Sequence, residues 1–553
     1  MAAKNKLELT WIGKDIRPRL EPRILIEEPE FSYHAKARRE GDSFENLLIQ
    51  GDNLLALKAL EADTAVRGEV KCVFIDPPYN TGSAFEHYDD GLEHSLWLGL
   101  IRDRLEILRN LLREDGSIWV TIDDREMPYL RILLDEVFGR SSFVATAVWQ
   151  KRYSRENRSS IGDAHDYVLI YAKNATAFKG AINKIPIDEK SSAVYKNPNN
   201  DPKGRWRGVP MTAQGFRPNQ MYKITTPSGV VHEPPEGRCW STTEDKYLEL
   251  VKAGRIYFGK NGDSQPSTIR YLSEVEGITP WTWWPHEECG HTDEAKKEMH
   301  SIFGRDNAFD TPKPERLMKR ILDIATSPGD LVLDSFAGSG TTGAVAHKMG
   351  RRWIMVELGD HAKTHIVPRM QKVIDGTDKG GVTEAAGWTG GGGYRFCRLA
   401  PSLLEKDAWG NWVIRKEYNP AMLAEAMCKH FNYSYAPSTE HYWMHGSSSE
   451  TSFIYVTTNS LTFEQLRAIS DEVGENRSLL ICCTAYEAKG ESLPNLTLRK
   501  IPGAVLDRCE WGKDDYSLKI SALPMMAEED EDEVPAPKKA KAGADGDLFD
   551  DGE

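Results

Sequence analysis

Two consecutive prolines, Pro77 and Pro78, follow the apolar run Val70-Lys71-Cys72-Val73-Phe74-Ile75 and the acidic Asp76. A run of this kind predicts a short buried strand. Proline cannot continue the ladder and disfavours a helix before it, so the chain must leave the strand's carboxyl end as an extended loop. Open α/β sheets bind ligands at that edge. The Asp76 carboxylate and the Pro77 carbonyl are both acceptors at a fixed spacing, and proline adds no competing N–H. Together they can take two hydrogen bonds from one NH2 group, while the ring of Tyr79 can lie on the heterocycle bearing that amine. Asp76, Pro77, Pro78 and Tyr79 are therefore the candidate catalytic residues; the plain alternative is a turn with a buried tyrosine.

The flanking segments alternate. Leu47 to Gln50 reads as a strand, Leu54 to Leu60 as a helix, Leu96 to Leu112 as a helix, Gly116 to Ile122 as a strand, Arg125 to Phe138 as a helix and Phe143 to Trp149 as a strand. Such alternation predicts a parallel sheet covered on both faces. Asp52, between the first strand and helix, suits a helix N-cap. Beyond Trp149, the stretch from Lys151 to Arg158 supplies four cations, Lys151, Arg152, Arg155 and Arg158, with Tyr153 and Asn157. That mixture suits phosphates and base edges. From 175 to 305 the pattern is irregular and rich in Gly, Pro, Trp and Arg, too long for a loop of a compact domain.

Regularity returns at Lys313-Pro314-Glu315, a helix start with apolar periodicity through Ile324. A second strand, Leu331 to Phe336, opens into Ala337-Gly338-Ser339-Gly340-Thr341-Thr342-Gly343, and Glu357 closes the strand after that, nineteen positions beyond Gly338. This is a G-x-G-x-x-G turn, so a nicotinamide-dinucleotide oxidoreductase competes on this stretch alone. The D-x-F of Asp334-Ser335-Phe336 and the remote D-P-P-Y loop decide against it, since hydride transfer needs neither.

Asp76-Pro77-Pro78-Tyr79 continued by Asn80-Thr81-Gly82 resembles the catalytic motif of adenine-N6 DNA methyltransferases whose catalytic motif precedes the cofactor motif, including the modification subunits of type III restriction systems. Gly390 to Phe396 is similar to a segment that follows their cofactor motif. The resemblance covers about residues 5 to 400. It implies a Rossmann-like, circularly permuted S-adenosylmethionine-dependent methyltransferase sheet acting on a flipped-out adenine of double-stranded DNA, with an N4-cytosine enzyme as the alternative. It also implies that Phe336, Gly338, Gly340 and Thr341 wrap the cofactor with Asp334, that Glu357 takes its ribose hydroxyls, that Lys313 borders its methionine end, and that Asp52 accepts from its adenine amine. A homodimer and an ATP-dependent restriction subunit are the implied partners; with no Walker A sequence in this chain, ATP-dependent cleavage needs another polypeptide. The expected division is an N-terminal extension 1–45, catalytic half 46–174, inserted target recognition domain 175–305, cofactor half 306–399, C-terminal αβ region 400–524 and acidic tail 525–553.

Composition is compatible with this reading. The formal net charge of -14 argues against DNA only until its location is noted: residues 527–553 hold eleven acids and three lysines, net -8, leaving -6 for the rest. What DNA requires is a basic patch on one face. The tail is too charged to pack, and its Asp547-Leu548-Phe549-Asp550 is a candidate docking peptide. Eight cysteines without C-x-x-C spacing suggest reduced thiols, and His286, Cys289 and His291 lack a fourth ligand, so no metal is expected. Without a membrane-length apolar run or a signal-like start, a cytoplasmic protein is expected.

Overall fold

Side chains of a strand point alternately to opposite faces, and the sheet of this protein is built on that period. In Val70–Ile75, Cys72 and Phe74 join one apolar cluster while Val70, Val73 and Ile75 join the other. The adjacent strand Leu331–Asp334 divides likewise, Val332 to the first and Leu331 and Leu333 to the second. Both faces are therefore buried. The computed structural model describes residues 8–79, 90–155, 161–187, 189–305, 309, 311–487 and 493–517. Asn80-Thr81-Gly82, Arg158 and the acidic tail with its Asp547–Asp550 peptide lie outside the described residues.

Eleven strands form the main sheet: β1 (Leu25–Glu27), β2 (Tyr33–His34), β3 (Asn46–Gln50), β4 (Val70–Ile75), β5 (Leu112–Ile122), β6 (Phe143–Gln150), β7 (His165–Ala172), β8 (Trp283–Trp284), β9 (Leu331–Asp334), β10 (Arg352–Glu357) and β11 (Gly393–Leu399). Their order is β1-β11-β3-β10-β9-β4-β5-β7-β6-β8, with β2 also on β11. The run β11-β3-β10-β9-β4-β5 is parallel. In contrast, β7 lies antiparallel to both β5 and β6, and β1 and β2 are antiparallel to β11. The sheet is thus mixed rather than wholly parallel. Apolar alternation is the same whichever way a strand runs, so periodicity carries no information on polarity.

One face is covered by α1 (Asn53–Glu61), α2 (Asp90–Leu111) and α3 (Met127–Phe138), the other by α5 (Glu315–Ala325), α6 (Thr341–Lys348) and α7 (Val367–Ile374), with α4 (Thr292–Phe303) beside α5 and α7. From β4 the chain proceeds outward to β5, and from β9 outward to β10 on the opposite side. The carboxyl ends of β4 and β9 are therefore a topological switch point, where a crevice opens.

The inserted region differs from the expected boundaries. Residues 206–271 form small two- and three-stranded sheets with their own clusters, around Trp240 and around Trp206. Residues 283–303 belong with the main body instead: β8 extends the sheet, Cys289 and Trp284 are in its core, and Met299 on α4 is buried. In the C-terminal region, Pro420–Phe431 and Phe463–Val473 are helices around a five-stranded sheet that includes Ser452–Val456 and Ser478–Cys483. The N-terminal extension packs: Trp11 is buried, and Arg17 pairs with Asp103 and Glu106 of α2. Among the described residues no helix is long and apolar enough to cross a membrane.

Candidate active site

At the end of β4 the Asp76 carboxylate is divided between two donors. Thr121, fully buried on β5, donates its hydroxyl to Oδ1 at 2.5 Å, and the Lys313 ammonium donates to Oδ2 at 2.5 Å. Trp97 of α2 donates its indole N–H to the Pro78 carbonyl at 2.7 Å, which fastens the loop from below. Among the described residues nothing donates to the Pro77 carbonyl. Tyr79 is half-buried, with its hydroxyl 3.4 Å from Asp166 Oδ2 and the Lys313 ammonium 5.2 Å from its ring centroid. Burial, reinforced by the Asp76 and Asp166 charges, pushes the Tyr79 phenol well above its ordinary range, so it stays protonated.

The second loop begins at β9. Asp334 is buried beneath it: Oδ1 accepts from the Phe336 N–H at 2.9 Å and Oδ2 from the Thr342 hydroxyl at 2.5 Å. Burial raises its carboxyl to about 7. Asp334 therefore shapes the turn from within. Gly338 and Gly340 have φ of 51° and 77°, left-handed values that a side chain would strain. Gly343 has a different task, since a Cβ there would meet the Met355 side chain at 2.3 Å; it lets α6 lie directly on β10. Glu357 accepts the Gly338 N–H at 2.8 Å and the Gly359 N–H at 3.1 Å, while burial raises its carboxyl.

Lys313 joins the two loops. Its side chain engages Asp76, and its backbone carbonyl accepts the Thr341 hydroxyl at 3.2 Å. Beneath Thr341 lies a buried charge network: Arg369 donates to Thr341 Oγ1 at 2.9 Å and to Glu315 Oε1 at 2.9 Å, and Lys348 pairs with Glu315 and Asp378 at 2.8 and 2.6 Å. Two cations face two carboxylates there. The adjacent Glu298 carboxyl, desolvated and next to Glu315, is pushed up to about 8.

Of the residues proposed from sequence, Asp76, Pro77, Pro78, Tyr79, Lys313, Phe336, Gly338, Gly340, Thr341 and Glu357 converge on this crevice. Asp52 caps α1 by accepting the Leu55 N–H at 3.0 Å, and its other oxygen is also engaged. Lys151 turns inward, its ammonium pairing with Asp166 at 2.8 Å and Asp163 at 2.7 Å, so it forms part of the wall and is not a free phosphate contact. Arg152 is half-buried and Arg155 exposed. Thr121, Trp97 and Asp166 escaped the sequence reading because their contacts with Asp76, Pro78 and Tyr79 join elements that are remote in sequence. His286, Cys289 and His291 do not form a shared centre: Cys289 is in the core with its thiol raised to about 12 by burial, and His291 caps α4.

Strand order and the paired loops define a doubly covered α/β sheet whose Asp76 and glycine-turn loops meet at the carboxyl edge of β4 and β9. The chain belongs to the DNA methylase family, whose pattern matches residues 70–368. It is 35% identical to the type III restriction-modification enzyme StyLTI Mod subunit of Salmonella typhimurium over 62% of this chain and 57% of that protein. It is 32% identical to the type II methyltransferase M.EcaI of Enterobacter cloacae over 59% of this chain and 69% of that protein, and 31% identical to the type III EcoPI Mod subunit of Escherichia phage P1 over 62% of each. The chain thus spans little more than half the length of the StyLTI subunit.

Proposed function

We propose that this protein transfers a methyl group from S-adenosylmethionine to the N6 amine of an adenine flipped out of double-stranded DNA, as the modification subunit of a type III-like restriction-modification system. The observation that carries this reading is the double engagement of Lys313, side chain on Asp76 and backbone on Thr341, which makes the two remote loops one pocket. The Glu357 carboxyl, the left-handed glycines and the half-buried Phe336 ring suit a nucleoside cofactor at the β9 edge. Because the catalytic loop precedes the cofactor loop, the sheet is a circular permutation of the reverse arrangement. Residues 206–271 suit a target recognition body, and Arg155 a phosphate contact.

S-adenosylmethionine, when bound, supplies an electrophilic methyl group on a sulfonium. The chain supplies position. Flipping the base costs a few kcal/mol. Thr121 holds Asp76 Oδ1, so Oδ2 faces the incoming amine once Lys313 yields it, and the Pro77 carbonyl accepts the second amine hydrogen. Those two bonds draw the nitrogen lone pair out of conjugation and aim it at the methyl carbon. On methylation the amine would lose one proton toward Asp76 Oδ2, the oxygen that Thr121 leaves free. Placement and fixed dipoles account for most of the acceleration. Tyr79, held neutral, stacks on the base.

The Asp76→Ala variant should abolish methyl transfer while DNA binding by gel shift is retained. Activity within tenfold of wild type would remove Asp76 from the chemistry. Mass spectrometry of nucleosides from modified DNA should yield N6-methyladenine, and N4-methylcytosine would overturn the base assignment, since the same acceptors fit that amine.

A further inference from the structure

Sequence allowed Asp52 two compatible roles, cap of α1 and acceptor for the cofactor's adenine amine. Both of its oxygens already accept hydrogen bonds from this chain. Oδ1 takes the Leu55 N–H, and Oδ2 takes the backbone N–H of Tyr516 at 2.9 Å together with Arg104 Nη2 at 3.4 Å. The same Arg104 nitrogen lies 3.4 Å from the Tyr516 carbonyl. Asp52 and Arg104 are 1% and 2% exposed, so the C-terminal end of the described chain is seated on a buried ion pair.

A second buried guanidinium holds the residues just before. Arg23, 1% exposed, donates to the Lys513 carbonyl at 3.0 Å and pairs with Asp514 at 2.7 Å, while its other Nη reaches the Ala400 carbonyl at 2.8 Å. The segment is thus tied at two points, through the Tyr516 backbone to the buried Asp52–Arg104 pair and through the Lys513 carbonyl and the exposed Asp514 carboxylate to the buried Arg23. The half-buried Tyr516 ring packs against the same apolar cluster as Phe336 and Leu399.

Its position gives this anchoring a use. Asp52 follows β3, whose Gln50 pairs with Glu357 at the end of β10, and Glu357 holds Gly338. Asn53 Nδ2 donates to the Ser335 carbonyl at 2.7 Å, and Arg104 Nε donates to Asn53 Oδ1. Tyr516, Arg104, Asn53 and Ser335 are therefore one hydrogen-bonded chain leading to the start of the glycine turn. We propose that Asp514–Tyr516 forms the outer wall of the nucleoside end of the cofactor cleft, with Tyr516 a cofactor-positioning residue whose socket is Asp52 and Arg104. The inference rests on the S-adenosylmethionine reading above.

Hydrogen exchange of the full chain with and without S-adenosylmethionine tests it without any substitution. Amides of residues 513–517 should exchange more slowly on addition; no change in that segment overturns the proposal. Calorimetry of Tyr516→Pro, which removes the N–H that Asp52 accepts, should show a Kd at least tenfold weaker with the melting transition intact. A folded Tyr516→Pro with unchanged affinity also overturns it, and one that binds more tightly does the same by making the segment a plug. If the variant does not fold, exchange in the wild type decides. A wild-type chain that binds no S-adenosylmethionine removes the cofactor reading itself, whereas binding that leaves 513–517 unaltered removes only this inference.

Discussion

The two oxygens of Asp76 have separate tasks, and the division is open to test. Oδ1 is fixed by Thr121, which is fully buried and makes no contact with a target base in the proposed geometry. Thr121→Val keeps the shape and deletes the donor. A hydrogen bond to a charged group contributes about 1.5–3 kcal/mol, so the methyl-transfer step should slow by about 10- to 100-fold. Single-turnover transfer of labelled methyl measures this, with cofactor affinity expected to stay within threefold; a rate equal to wild type would mean that Lys313 and the loop alone orient the carboxylate. The position of Asp76 and Tyr79 just past the end of β4 was legible in the sequence because two prolines dictate local geometry. Asp166 was not, since its value as a neighbour of Tyr79 comes from β7 lying beside β5, a pairing that no local pattern encodes.

Among the elements, α5 carries the greatest electrostatic load. Its Glu315 binds Lys348, Arg369 and the Val382 N–H, and the Glu315 N–H donates to Glu298 on α4 at 3.1 Å. Burial of Glu298, reinforced by the neighbouring Glu315 charge, resists its ionisation and raises its carboxyl from 4.5 to about 8. The folded protein then holds a proton that the unfolded chain releases near pH 4.5. The stabilisation is complete below that pH and is lost as pH rises to about 8, at no more than about 1.4 kcal/mol per pH unit. Glu298→Gln cannot ionise. Its melting temperature relative to wild type should therefore increase between pH 5 and pH 8 and level off above; a difference independent of pH, measured by scanning calorimetry at pH 5, 7 and 9, would mean that Glu298 titrates normally. α5 itself was readable from its proline-led start and apolar period. That Glu315 would sit in the core was not, because a glutamate in a first helical turn ordinarily signals only favourable interaction with the helix dipole.

At the scale of the whole molecule, two long detours leave the sheet and return to it. The C-terminal detour returns to Asp52 at Tyr516, a contact 464 residues apart in sequence and therefore invisible to motif reading. The inserted one departs and rejoins at a single antiparallel bridge, where Ile185 and Ile278 exchange both backbone hydrogen bonds at 2.9 Å. Paired residues of that type lie about 5.5 Å apart, a gap that a short turn can span. The enclosed body has its own small cores around Trp240 and Trp206, while Ile185 and the bordering Ile278 pack on the main core. Replacing residues 187–276 by a short glycine-containing turn should therefore leave a soluble chain with a cooperative melt and S-adenosylmethionine affinity within threefold of the parent. Loss of site-specific DNA binding and methylation is expected in the same protein, because the surface proposed to read bases has been removed. Calorimetry and a gel shift against the methylated site measure the two halves of this expectation separately. A shortened chain that still modifies the same sequence would place recognition on the sheet edge near Arg155, and one that folds but loses the cofactor would show that the inserted body supports the crevice as well as flanking it.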